Sequence, residues 1–121
     1  VRYEEREIIA ALERRGVPYE RVDDRGLIFR LGEPPPTYRV VLNRCISQTR
    51  RLYASRLFEA GGVPVISSSR VISTCDDRIA MHLALAGAGL PLPPTAVALA
   101  AEQGVEAIET VGYPANDTAT T

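Results

Sequence analysis

The chain has 121 residues, 45% apolar and 24% charged, and a formal net charge of −1 from 14 basic and 15 acidic side chains. That is one ordinary domain of globular composition, without the charge excess that drives nucleic-acid or membrane-surface binding. Every basic residue is Arg, which excludes Schiff-base lysine chemistry and a P-loop lysine, while one His and two Cys cannot complete a four-ligand zinc site by themselves.

Residues 3–15 have helical periodicity, with Ile8, Ile9 and Leu12 on one face and Glu4, Glu5, Arg6, Glu13 and Arg14 turned to solvent. A short strand is expected over 18–22, and Leu27 to Phe29 forms a second extended piece. Gly32-Glu33-Pro34-Pro35-Pro36 is a loop. Tyr38 to Asn43, containing Val40-Val41-Leu42, reads as a buried strand. Ser47 to Ala60 is a helix, with Ser47 or Thr49 as N-cap and Leu52, Leu57 and Phe58 inward. Val63 to Ile66 is the next strand, and Ser67-Ser68-Ser69 caps a short helix running through Cys75. Asp76 or Asp77 caps another, through Ala88; Thr95 to Leu99 is a strand and Glu102 to Val111 a last helix. Gly16-Val17-Pro18, Gly62-Val63-Pro64, Gly89-Leu90-Pro91 and Gly112-Tyr113-Pro114 each follow a helical stretch. Gly ends a helix in the left-handed conformation and Pro keeps it from resuming. Alternating helices and strands with this punctuation describe an α/β domain with a mostly parallel sheet.

Chemistry gathers where the Tyr38–Asn43 strand passes into the following helix, because open α/β sheets place ligands at the carboxyl ends of strands. Arg44, Ser47, Gln48 and Arg50 stand there. A helix N-terminus and arginine donors together suit a carboxylate or phosphate. The plainer reading is that Ser47 only caps the helix and the arginines are a solvated surface. Cys45 has no base beside it, as the one His is His82, and reads as a buried structural thiol; Asp76-Asp77 reads as helix capping rather than a metal pair. No apolar run reaches the roughly 18 residues of a membrane span. The charged start has no signal-peptide core. Cys45 and Cys75 read as two reduced cytosolic thiols.

Val40 to Gln48, Gly62 to Ile66, Val71 to Arg78, Gly89 to Thr95 and Gly112 to Pro114, in that order, resemble the N-terminal part of the RimK-type ATP-grasp ligases. Within them the chain is most similar to the LysX group, which joins α-aminoadipate to the LysW amino-group carrier protein. The related ligases acting on glutamate in arginine biosynthesis stand close by. The resemblance spans residues 3–115. It implies an α/β, Rossmann-like pre-ATP-grasp domain, truncated at both ends: residues 1–93 without the family's first strand, 94–115 leading into the ATP-grasp lid, and 116–121 a disordered tail. It further implies ATP and Mg2+ in the full enzyme, with metal ligands and catalytic residues in a core outside this chain. In that reaction a carrier glutamate is activated as an acyl phosphate and captured by the α-amino group of the amino acid. The implied partners are a LysW-like carrier and the amino-acid substrate, in a homo-oligomeric cytoplasmic enzyme. Arg44, Ser47, Gln48 and Arg50 fall at the substrate end of the cleft. Arg78 falls on the nucleotide side, where the family usually has Lys; the charge is kept but not the shape. A fragment of this kind is expected to be inactive on ATP, to leave a strand edge uncovered and to be marginally stable. The rival reading is a stand-alone Rossmann-like binding or oligomerisation module. A phospho-receiver domain is set aside because it needs a switch lysine.

Overall fold

Residues 1–112 are described by the structure, a computed structural model. They divide into two compact units, Val1–Met81 and a second that begins at His82. The first contains helix α1 (Tyr3–Arg14), a 3-10 turn at Asp24–Gly26, strand β1 (Val41–Leu42), helix α2 (Gln48–Ala60), strand β2 (Val65–Ile66), helix α3 (Ser69–Cys75) and the start of helix α4 (Arg78–Gly87). The second contains the rest of α4, a 3-10 turn at Ala101–Gln103 and helix α5 (Gly104–Val111).

Local chemistry sets the helix starts. Ser47 Oγ accepts the Arg50 N–H at 3.4 Å, and Ser68 Oγ the Val71 N–H at 3.3 Å. Asp77 Oδ1 accepts from both Ile79 and Ala80 at 3.0 Å, so the second of the two adjacent acids caps α4. Glu4 and Glu5 lie in the first turn of α1 and Arg14 in its last, matching the helix dipole.

The Gly-apolar-Pro punctuation proves to be one recurring structure. Gly16, Gly62 and Gly89 have φ of 64°, 82° and 74°. The N–H after each glycine reaches back five residues: Val17 to Leu12 O at 3.0 Å, Val63 to Phe58 O at 3.0 Å, Leu90 to Leu85 O at 3.2 Å. The glycine N–H bonds Glu13 O, Glu59 O and Ala86 O respectively. These are Schellman motifs, and the apolar residue is the one that folds back on the helix it has just left. Gly112 also has positive φ; the rest of that fourth motif, and the expected tail over 116–121, lie outside the described residues.

β1 and β2 pair in parallel, Val41 with Val65 and Leu42 with Ile66. With α2 as the crossover they form one βαβ unit. The core lies between this pair and α2: Phe58, Val63 and Val65 are buried, with Leu27, Phe29, Tyr38 and Val41 packed against them. Phe29 and Tyr38 meet the Phe58 ring edge-on, at centroid distances of 5.1 and 6.1 Å. Glu59 ties α2 to α3 by accepting the Ser69 N–H at 2.8 Å and the Ser69 hydroxyl. A Cβ on Gly61 would run into the Pro35 ring, so this loop proline seats directly on the end of α2.

The expected helices are all present; the strands are shorter or missing. Tyr38–Asn43 contracts to Val41–Leu42, and Val63–Ile66 to Val65–Ile66. Residues 18–22 and Leu27–Phe29 form no ladder among the described residues, although Leu27 and Phe29 still reach the core. The strand expected over Thr95–Leu99 is absent. Pro91, Pro93 and Pro94 lack N–H donors before it, no described strand of its unit can pair with it, and Leu99 is 95% exposed.

Candidate functional site

The carboxyl ends of the two strands open onto the loop from Asn43 to Ser47, the position that the topology favours for a ligand. Asn43 builds this loop. Its N–H donates to Ile66 O at 2.8 Å, continuing the ladder one step past Leu42. Its Nδ2 donates to Arg51 O at 2.9 Å and to Ser55 Oγ at 2.8 Å, and its Oδ1 accepts the Cys45 N–H at 3.1 Å. Ser55, fully buried in α2, is the polar anchor. Neither residue stood out in the sequence, although an Asn two residues before a turning N–H is a recognisable Asx-turn signal.

Arg44 is held from the far side by α1. Its Nε donates to Glu5 Oε1 at 3.0 Å, and its carbonyl accepts from Arg2 Nη2 at 3.3 Å. Arg2 also grips Glu5 through two bonds of 2.9 and 2.6 Å. No hydrogen bond to a described residue uses the Arg44 Nη groups, and the side chain is 42% exposed. The guanidinium is thus fixed at one edge and open at the other, where a carboxylate can take paired donors. Against the cost of its burial, the hydrogen bond from Arg2, joined by that from Arg44, holds the Glu5 carboxyl down from its ordinary 4.5 to about 2.

A lowered carboxyl pKa stabilises the fold fully above the ordinary carboxylate range, and the contribution is lost as pH falls through the folded value. Urea midpoints should therefore drop between pH 4.5 and about 2, and Glu5→Gln should flatten part of that descent. Asp23, held to about 2 by Arg25, leaves the remainder. An unchanged acid limb in Glu5→Gln would show that the cluster does not form in solution.

The other expected site residues are placed as follows. Ser47 caps α2, as its plainer reading required. Gln48 Nε2 donates to Asp76 O at 3.3 Å, linking α2 to the turn before α4. Arg50 is tied through Nε to Asp24 Oδ2 at 2.5 Å, and Arg51 to Asp76 Oδ2 at 2.7 Å. Arg44, Ser47 and Gln48 thus share one loop and helix start, and Arg50, one turn into α2, is held like Arg44 through Nε alone, with its Nη groups bonded to no described residue. Arg78 is exposed in the first turn of α4 and forms no ion pair among the described residues. A shallow groove of about 290 Å3 runs between Gln48 and Asp77, floored by Leu52 and Ile72.

Cys45 is half-buried, and burial followed by the Asp24 carboxylate pushes its thiol pKa up, which is opposite to what a nucleophile needs. Among the described residues no group of three His, Cys, Asp or Glu can hold a metal ion, and no helix is long and apolar enough to cross a membrane. The described residues thus present no ready-made ligand set for Mg2+, and Arg78 is an exposed cation at the start of α4.

Comparison with known proteins places these features in a family. Residues 1–74 match the LysX preATP-grasp domain. Over 117 residues the chain is 37% identical to the Glutamate–LysW ligase ArgX of Sulfurisphaera tokodaii, covering 97% of this chain and 42% of that protein. It is 34% identical to the Glutamate–LysW ligase ArgX of Sulfolobus acidocaldarius, with the same coverage. The chain spans about two fifths of the length of these curated relatives. Since the match runs from Val1 through Thr74, across α1, β1, α2 and β2, the chain belongs to the LysX preATP-grasp domain family.

Proposed function

We propose that this chain is the N-terminal domain of an ATP-dependent carboxylate–amine ligase that joins an amino acid to the C-terminal glutamate of a LysW-like carrier protein. The observation that carries this reading is the 37% identity, sustained over 97% of the chain, to a protein named as a glutamate–LysW ligase. Both relatives' names specify glutamate, which favours glutamate over α-aminoadipate as the amine donor. ATP supplies the activation of the carrier carboxylate, and the α-amino group then displaces phosphate to form the amide.

The chain's own part is to bind and orient. Arg44 offers its open Nη edge to the carboxylate of the amino acid, Ser47 and Gln48 shape the start of α2 around it, and Arg50 braces the loop against Asp24. Arg78 is the contact for a phosphate. The 121-residue chain alone is proposed not to turn over ATP.

The test is a chimera in which this chain replaces the matching two fifths of the Sulfurisphaera tokodaii ligase. The chimera should consume ATP only when carrier and glutamate are both present, and the chain alone should consume none. A folded chimera without carrier-dependent ATP consumption, or an active isolated chain, would overturn the reading.

A further inference from the structure

Asn43 ties the strand end, the turn and the crossover helix together, through its backbone N–H to Ile66 and its carboxamide to Cys45, Arg51 and Ser55. The carboxamide's orientation is fixed by its partners. The Arg51 carbonyl can only accept, so Nδ2 must face it; the Cys45 N–H can only donate, so Oδ1 must face that. Ser55 Oγ takes the second Nδ2 proton at 2.8 Å from inside α2, where it is fully buried. Three side-chain bonds and one backbone bond thus set where the chain leaves β1, and Arg44 is the next residue. Glu5 fixes only the Nε edge of Arg44 and Arg2 donates to its carbonyl; Asn43 sets the direction in which the backbone enters Arg44.

We propose that Asn43, anchored by Ser55, is a positioning residue that holds the Arg44–Gln48 loop in the geometry that recognises the amino-acid carboxylate. This rests on the ligase reading above. Asn43 itself does not reach toward the open edge of Arg44; its amide is spent on Arg51, Ser55 and Cys45. Its effect is therefore on the binding of the amino acid and not on the nucleotide side, where Arg78 stands at the start of a different helix.

The test uses the active chimera and three substitutions. Asn43→Asp keeps the acceptor toward Cys45 and loses both donors. Ser55→Ala removes one acceptor and leaves the rest. Gly61→Ala, which must displace the Pro35 ring, is the control that destabilises the same unit away from the loop. Asn43→Asp is expected to raise KM for glutamate about tenfold, as loss of a positioned charge-assisted contact does, with kcat and KM for ATP unchanged. Ser55→Ala should move KM for glutamate in the same direction by less. Gly61→Ala should lower the melting temperature with KM for glutamate unchanged. If Asn43→Asp lowers only the melting temperature or the active fraction, as Gly61→Ala does, Asn43 is structural and the proposal fails.

A second readout separates this failure from failure of the ligase reading. In the 121-residue chain, amide exchange at Cys45 should accelerate in Asn43→Ala about tenfold or more, relative to the β2 amides, because its only side-chain acceptor is removed. Equal acceleration at Cys45 and throughout β2 would mean general loosening and would overturn the proposal, whether or not the chimera is a ligase.

Discussion

Phe58→Ala is expected to lower the stability of the Val1–Met81 unit by about 3–5 kcal/mol, the range for removing a buried aromatic ring. Phe58 is 4% exposed, and among the described residues the other buried apolar side chains are Val63, Val65 and Ile72. Phe29 and Tyr38 both pack edge-on against its ring. These two residues stand in segments that no ladder holds, and they reach the fold through the cluster that Phe58 forms with Val63 and Val65. The Phe58 carbonyl also accepts the Val63 N–H that turns the chain from α2 toward β2. Removing the ring therefore releases the segment before β1 and weakens the packing of the crossover helix on its strands. Against a total of about 5–15 kcal/mol for an ordinary domain, that loss should shift the urea midpoint by a large fraction, read by circular dichroism. A shift equivalent to less than about 1 kcal/mol would place the core elsewhere.

Arg44→Ala, in the chimera with the relative's remaining sequence, is expected to raise KM for glutamate by about 10- to 100-fold, the range of a lost charge-assisted hydrogen bond. KM for ATP should move little. The loss has two parts. The open guanidinium edge disappears, and Glu5 keeps Arg2 as its one remaining cation. Arg44→Lys separates them, since Lys restores the charge to Glu5 without the paired donors that a carboxylate uses. Arg44→Lys should therefore recover stability at neutral pH and leave KM raised. Unchanged KM in both variants would remove Arg44 from the substrate site.

Helix ends were legible in the sequence because their determinants are local. Ser47, Ser68 and Asp77 bond N–H groups two or three residues away, and Gly16, Gly62 and Gly89 reverse the chain within the motif they announce. Strands are less legible, because a strand exists only when a neighbour completes its ladder. Residues 18–22 and 95–99 have strand-like composition and no described partner, and the prolines before the second group remove donors as well.

The candidate site divides along the same line. That Arg44, Ser47 and Gln48 share a strand-to-helix junction follows from sequence spacing. The partners do not, since Glu5 lies 39 residues from Arg44, Asp24 lies 26 from Arg50, and Asp76 lies 25 from Arg51. These pairings turn a row of apparently free arginines into two guanidiniums, Arg44 and Arg50, each held through Nε with the other edge open, and one, Arg51, bonded through Nη2 to Asp76. The Cys45 thiolate is disfavoured first by burial and then by the Asp24 that steadies Arg50.

Intact-mass spectrometry of the carrier protein tests the account most directly. The carrier is incubated with the chimera, ATP, Mg2+ and an equal mixture of glutamate and α-aminoadipate. The account predicts a carrier species heavier by one amino-acid residue at its C-terminus, with the glutamate adduct in excess, and no such species when the 121-residue chain replaces the chimera. A well-folded chimera that leaves the carrier mass unchanged, while the parent ligase modifies it under the same conditions, would contradict the assignment of this chain to the substrate-binding end of a carrier-protein ligase.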